Sequence, residues 1–136
     1  MAQNTAPVFT QVPKTPVGQS ITTSNTAKDG TGTVVTLFTA EATEGSRVEK
    51  VIAIPRGTNV ATVLRLWIND GQGVLAANNA QVKEVTLPAT TLSEVAAMGT
   101  VEIPLDLALP AGYKLNATIG TTVAAGYNLL AIGGDY

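Results

Sequence analysis

A chain of 136 residues with a net charge of −2, made up of 8 basic and 10 acidic residues scattered singly, can bury one core but has no basic stripe to neutralise phosphates, so nucleic acid is not expected as a partner. It has neither cysteine nor histidine, which excludes disulfides, thiolate chemistry and any catalytic or metal site built on an imidazole. No apolar run approaches the roughly 20 residues of a membrane helix, yet 45% of the residues are hydrophobic and only 13% are charged. The chain is therefore expected to be soluble, without a membrane partner and with surplus apolar surface that ends against another protein.

Residues 1–32 read as an extended arm and loop. Pro7, Pro13 and Pro16 punctuate a run of Thr, Gln, Asn and Ser, a density of proline that forbids helix interiors and central strands. Pro7, Val8, Phe9 and Val12 are the arm residues expected to fill a groove on a partner, with the prolines lowering the entropy lost on docking. Nothing from Met1 to Phe9 resembles a basic and apolar leader. Ser20 to Thr23 can form a short strand before the loop that ends at Gly32. Within it, Lys28-Asp29-Gly30-Thr31-Gly32-Thr33 lacks the Gly-Lys-Ser/Thr ending and following helix of a phosphate loop, and is expected to be an ordinary loop.

From Thr33 onward the period is two. Thr33–Ala40 and Ser46–Ile54 are strand-like in composition, and the turn Thr43-Glu44-Gly45-Ser46 is expected to join them as a hairpin. Thr62–Asn69 places Leu64, Leu66 and Ile68 on one face, and Arg65 and Trp67 on the other. Arg65 and Trp67 are candidate interface residues, since Arg and Trp anchor many interfaces; the alternative for Trp67 is cover by the arm or by a loop. Asn69-Asp70-Gly71-Gln72-Gly73 is a turn, short of the distant carboxylate a calcium loop needs. Gln81–Thr86 is a further strand, and Leu87–Met98 a loop with at most one helical turn.

The clearest alternation sets Val101, Ile103, Leu105, Leu107 and Leu109 against Glu102, Pro104, Asp106 and Ala108, with Pro104 implying an edge strand or a bulge. Pro110-Ala111-Gly112 then turns into Tyr113–Ile119, read as a second hairpin. Gly126–Gly134 is apolar on both faces, as in a central strand or one covered by a neighbouring subunit. About seven or eight short strands without a helical period predict a single all-β domain over residues 33–136, a β-sandwich or jelly roll carrying the extended N-terminal arm. No catalytic residue, metal site or cofactor is expected. A carboxylate pair for glycoside hydrolysis would need a cleft lined by aromatics, and one Trp, three Tyr and two Phe furnish it poorly.

The segments TGTVVTLFTAEATEGSRVEKVIA, LRLWINDG, LPAGYKLNATIG and NLLAIGGDY, together with the opening AQNTAPVFTQVP, resemble the small head decoration, or cement, proteins of tailed bacteriophages. The likeness covers nearly all of the chain from Gly30 to Tyr136. It implies a β-sandwich subunit, commonly a homotrimer, that is made in the host cytoplasm and sits on the outer capsid of the virion. There it would bind the major capsid protein and hold the shell against internal pressure. It brings no catalytic residues. Two other classes stay open: a host-binding module of a phage tail or fibre, using loops such as 69–73 and 121–126, and a carbohydrate-binding sandwich.

Overall fold

The structure is a computed structural model that describes residues 9–136. Among the described residues, β-branched and aliphatic residues at alternate positions give nine strands: β1 (Val12–Lys14), β2 (Ser20–Ile21), β3 (Val35–Thr39), β4 (Ser46–Pro55), β5 (Thr62–Asn69), β6 (Asn79–Leu87), β7 (Val101–Leu109), β8 (Lys114–Ile119) and β9 (Tyr127–Asp135). A 3-10 turn, Ala76–Asn78, leads into β6. The strands form two antiparallel sheets packed face to face. One sheet runs β1-β9-β4-β7, with β2 also on β9; the other runs β3-β8-β5-β6.

The pairing is nested: β1 and β2 pair with β9, β3 with β8, β4 with β7, and β5 with β6. A chain doubled back at the β5–β6 loop and then rolled gives this order, which is that of a jelly roll. Leu64, Leu66, Leu115, Ala117 and Ile119 from one sheet meet Val48, Val51, Ile103, Leu129 and Ala131 from the other, all with essentially no exposed surface. The all-β sandwich expected from the alternation is the fold observed.

Two local connections differ from expectation. β3 and β4 do not form a hairpin, and neither do β7 and β8: in each case the two strands belong to different sheets. The links are corners. Residues 110–113 span up to about 13 Å when extended, enough to cross the roughly 10 Å between packed sheets. Turn residues therefore mark a reversal without saying whether the chain returns beside itself or across the core. Only β5 and β6 are consecutive and paired, from Thr62↔Leu87 to Asn69↔Asn79.

Irregularities have local causes. Leu37 and Phe38 are both buried although adjacent, because a register shift between Thr36 and Phe38 against β8 breaks the alternation. Around Glu49, β4 is out of step with both neighbours: Val48↔Leu107 is followed by Lys50↔Pro104 on one side, and Val48↔Gly133 by Lys50↔Ile132 on the other. Pro104 is thus on an edge strand and at a bulge together. Asp106, in the same irregularity, takes a positive φ of 47° and pairs with Arg47 at 3.3 Å.

The composition changes at residue 32, but the packing does not. β1 and β2 lie in succession along one side of β9, interrupted between Lys14 and Ser20, where Pro16 lacks an N–H and Gly18 turns at positive φ. The segment from Val12 to Ile21, read from the sequence as part of an extended arm, is therefore paired at both of its ends with this chain's own β9. Lys14 fixes it further. Its ammonium group donates to Asp135 Oδ1 at 3.3 Å and to the Thr39 carbonyl, and lies 5.0 Å from the centre of the Phe38 ring, joining the edges of both sheets.

Candidate functional site

The interface residues expected from the sequence fall into two separate places. Of the arm residues, Pro7 and Val8 lie outside the described residues. Phe9 is 72% exposed, Val12 57% and Val17 77%, so three apolar side chains stand in solvent along the outer margin of the β1–β9–β4–β7 sheet. Val12 is exposed even though its backbone pairs with Asp135, because β1 is an edge strand.

Arg65 and Trp67 lie on the other sheet. Both point away from the core, alternating with Leu64 and Leu66 on β5. Trp67 is nevertheless only 2% exposed, and its Nε1 donates to Thr118 Oγ1 at 3.1 Å. The loop between β2 and β3 is the described segment placed to cover it. Asn25 closes the base of this loop: its backbone N–H reaches the Ile119 carbonyl at 2.8 Å, and its Nδ2 donates to the Thr31 and Thr33 carbonyls. The tip reaches β6, where Asn79 Nδ2 donates to the Asp29 carbonyl at 3.2 Å. A loop pinned at those two places crosses the outer face of β8 and β5, above Trp67, Asn116 and Thr118. Of the two readings of Trp67, cover by a loop is the one that its burial fits.

The same geometry disposes of two loop motifs. Gly30 is buried against Asn79, where an added Cβ would fall 2.8 Å from the side chain, so the glycines of 28–33 serve close packing and not an anion cradle. In the β5–β6 loop, Asn69 donates from Nδ2 to the Gly73 carbonyl and to Asn79 Oδ1, and accepts from Gly71 N–H through Oδ1. Its oxygen is spent on the turn.

Arg65 is 9% exposed. Its Nε donates to Glu84 Oε2 at 3.1 Å, across the β5–β6 pair. Beside it an open cavity of about 330 Å³ is lined by Val63, Thr86, Gly120 and Thr121 among others. This cavity had no signal in the sequence, since its walls come from β5, β6 and the loop after β8.

Asn59 was also not legible as important, being one polar residue in a loop. It is 4% exposed and clasps three connections. Oδ1 accepts from the Ala125 and Gly126 N–H groups, both at 2.9 Å, while Nδ2 donates to the Gly126 carbonyl at 3.0 Å. Its backbone pairs with Thr90 in an isolated bridge. Tyr127, next to this clasp, donates its hydroxyl to the Pro88 carbonyl, and burial pushes its ionisation above the ordinary phenol value. It is a strut for the loop 88–100.

Among the described residues no group of three acidic side chains converges in a way that could hold a metal ion. The side chains of the described face offer hydrogen bonds and one buried cation. No nucleophile is paired with a base there. Comparison with protein-family models, with curated proteins and with solved structures finds no match.

Proposed function

We propose that this chain is a structural virion protein of a tailed bacteriophage, which decorates and stabilises the outer capsid by binding the major capsid protein as a homo-oligomer, with a trimer favoured. The observation that carries the reading is a set of exposed apolar side chains on and beside a strand already fixed to the sandwich: Val12 on β1, with Phe9 before it and Val17 after it. Loose apolar side chains on a disordered tail would cost entropy to dock. Here the backbone of Val12 is held by β9 before any partner arrives. The resemblance to decoration proteins supplies the capsid as the partner, and the jelly-roll sandwich accords with it.

Purified chain added to undecorated heads should appear as regularly spaced density in electron micrographs, and mass photometry should show a species three times the mass of one chain. The Phe9→Ser/Val17→Ser variant should melt as the parent does, because both side chains are solvent-exposed, and should lose at least tenfold in affinity for heads. Wild-type chain that leaves heads bare would overturn the capsid reading, and a monomer both free and on particles would overturn the oligomer.

A further inference from the structure

We propose that the cavity beside Arg65 is a binding site for a carboxylate, supplied by an acidic side chain of a partner protein. A guanidinium has five N–H donors in a fixed fork and stays charged at every physiological pH. Among the described residues Arg65 has one acceptor, Glu84 Oε2 on Nε, and Glu84 is itself half-exposed. Arg65 Nη1 is buried and meets no acceptor among the described residues. A buried, charge-assisted donor left without a partner is unfavourable, so its retention points to an acceptor that arrives from outside.

Gly120 shows where that acceptor fits. A Cβ placed there would lie 3.4 Å from Nη1 and 3.8 Å from Nη2, with no heavy atom nearer than the guanidinium. The end of β8 is held in that position because Gly120 N–H donates to the Val63 carbonyl at 3.0 Å. Thr62 stiffens the wall, its hydroxyl donating to the Thr121 carbonyl and accepting from the Thr121 N–H. An atom-sized space therefore faces the guanidinium in a rigid frame, and the cavity around it opens to solvent past the exposed Thr86 and Thr121.

The lining selects the ligand. Among the described residues Arg65 is the one cation on the cavity wall and Glu84 already offsets part of its charge, which suits a monoanionic carboxylate better than a phosphate dianion. Among the described residues no aromatic side chain lines the cavity, so a sugar acid would find none of them to stack on. A short aliphatic stem carrying a carboxylate can lie on Val63 and reach the fork. The protein source of the carboxylate rests on the docking function proposed above; the carboxylate chemistry does not.

The test uses the full chain labelled with 15N, in which the Nε–Hε signals of its three arginines, Arg47, Arg56 and Arg65, can be followed separately. Titration with N-acetyl-glutamate N-methylamide should shift the Arg65 signal saturably and leave that of the exposed Arg56 in place. Glucuronate should bind at least tenfold more weakly. Gly120→Ala, which puts a methyl in van der Waals contact with the guanidinium at an ordinary φ, should weaken the glutamyl ligand tenfold or more. Should that variant melt early, Thr86→Trp closes the mouth from an exposed position and should do the same. A shift that does not saturate, that appears equally at Arg56, or that survives both variants would overturn the site. Tighter binding of glucuronate would overturn the protein partner. These measurements need no capsid, so their failure and the failure of head decoration are distinguishable.

Discussion

Asn59 and Gly126 hold each other from both sides: the Asn59 amide accepts from the Gly126 N–H at 2.9 Å and donates to the Gly126 carbonyl at 3.0 Å. The amide does for the loop between β8 and β9 what a strand partner does inside a sheet. Asn59→Ala would leave the N–H groups of Ala125 and Gly126 without that acceptor, a loss of about 2–3 kcal/mol. The expected fall in Tm is on the order of 10 °C. An unchanged Tm by calorimetry would show that water replaces the clasp without loss.

Gly133 has no room for a side chain. A Cβ there would overlap the Arg47 carbonyl oxygen, a backbone atom near one end of the β4–β9 pair. Gly133→Ala should cost about 3 kcal/mol or more, because neither strand can retreat without breaking its register. Gly99→Ala is the control: nothing lies within 4 Å of the new methyl, and its φ is ordinary. That variant should be neutral or gain up to about 1 kcal/mol from the unfolded state. Urea midpoints separate the two, and equal midpoints would refute the close approach.

Trp67 is the only tryptophan, so its fluorescence reports the loop above it. The native protein should emit at short wavelength and resist quenching by acrylamide. Asn25→Ala removes the two hydrogen bonds that Asn25 Nδ2 gives to the Thr31 and Thr33 carbonyls. It should raise the quenching constant several-fold while the far-ultraviolet spectrum keeps its β shape. Quenching that stays at the native value would mean that other residues cover the ring.

Acid should weaken the fold through two turn carboxylates. Backbone N–H groups of Glu44 and Thr43 hold the Glu41 carboxyl below its ordinary value, and the Thr31 hydroxyl and N–H do the same for Asp29. A carboxyl with a lower pKa folded than unfolded gives its full contribution above the unfolded value and loses it as pH falls through the folded one. The loss should therefore begin near pH 4.5 for Glu41 and 3.8 for Asp29. Carbon NMR titration should place both midpoints below those values, and Glu41→Gln should flatten the acid limb of the stability curve. Midpoints at the ordinary values would refute the turn bonds.

Where side chains alternate cleanly, the sequence was enough. β5 and β7 occupy the residues that their alternation predicts, and β9 is central, one of the two positions that its two apolar faces allow. The partners of those strands were not legible, since a corner and a hairpin draw on the same turn residues. Nor was the burial of Trp67, which depends on Asn25 and Asn79 pinning a loop from positions far away in the chain. Arg65 was visible as an odd residue on a strand. Its cavity was not, because the missing side chain of Gly120 carries no pattern.

The nesting of the strands also bears on how the chain is made. Lys14 and Asp135, joined across β1 and β9, are 121 residues apart. At usual rates of synthesis a ribosome needs roughly 6 to 24 s to cover that interval. Until Tyr127–Asp135 emerges, β4 lacks one neighbour, and β1 and β2 have nothing to pair with. A nascent chain must therefore carry an open, apolar strand edge for most of its translation, in a form that chaperones would bind and that neighbouring nascent chains on the same message could capture.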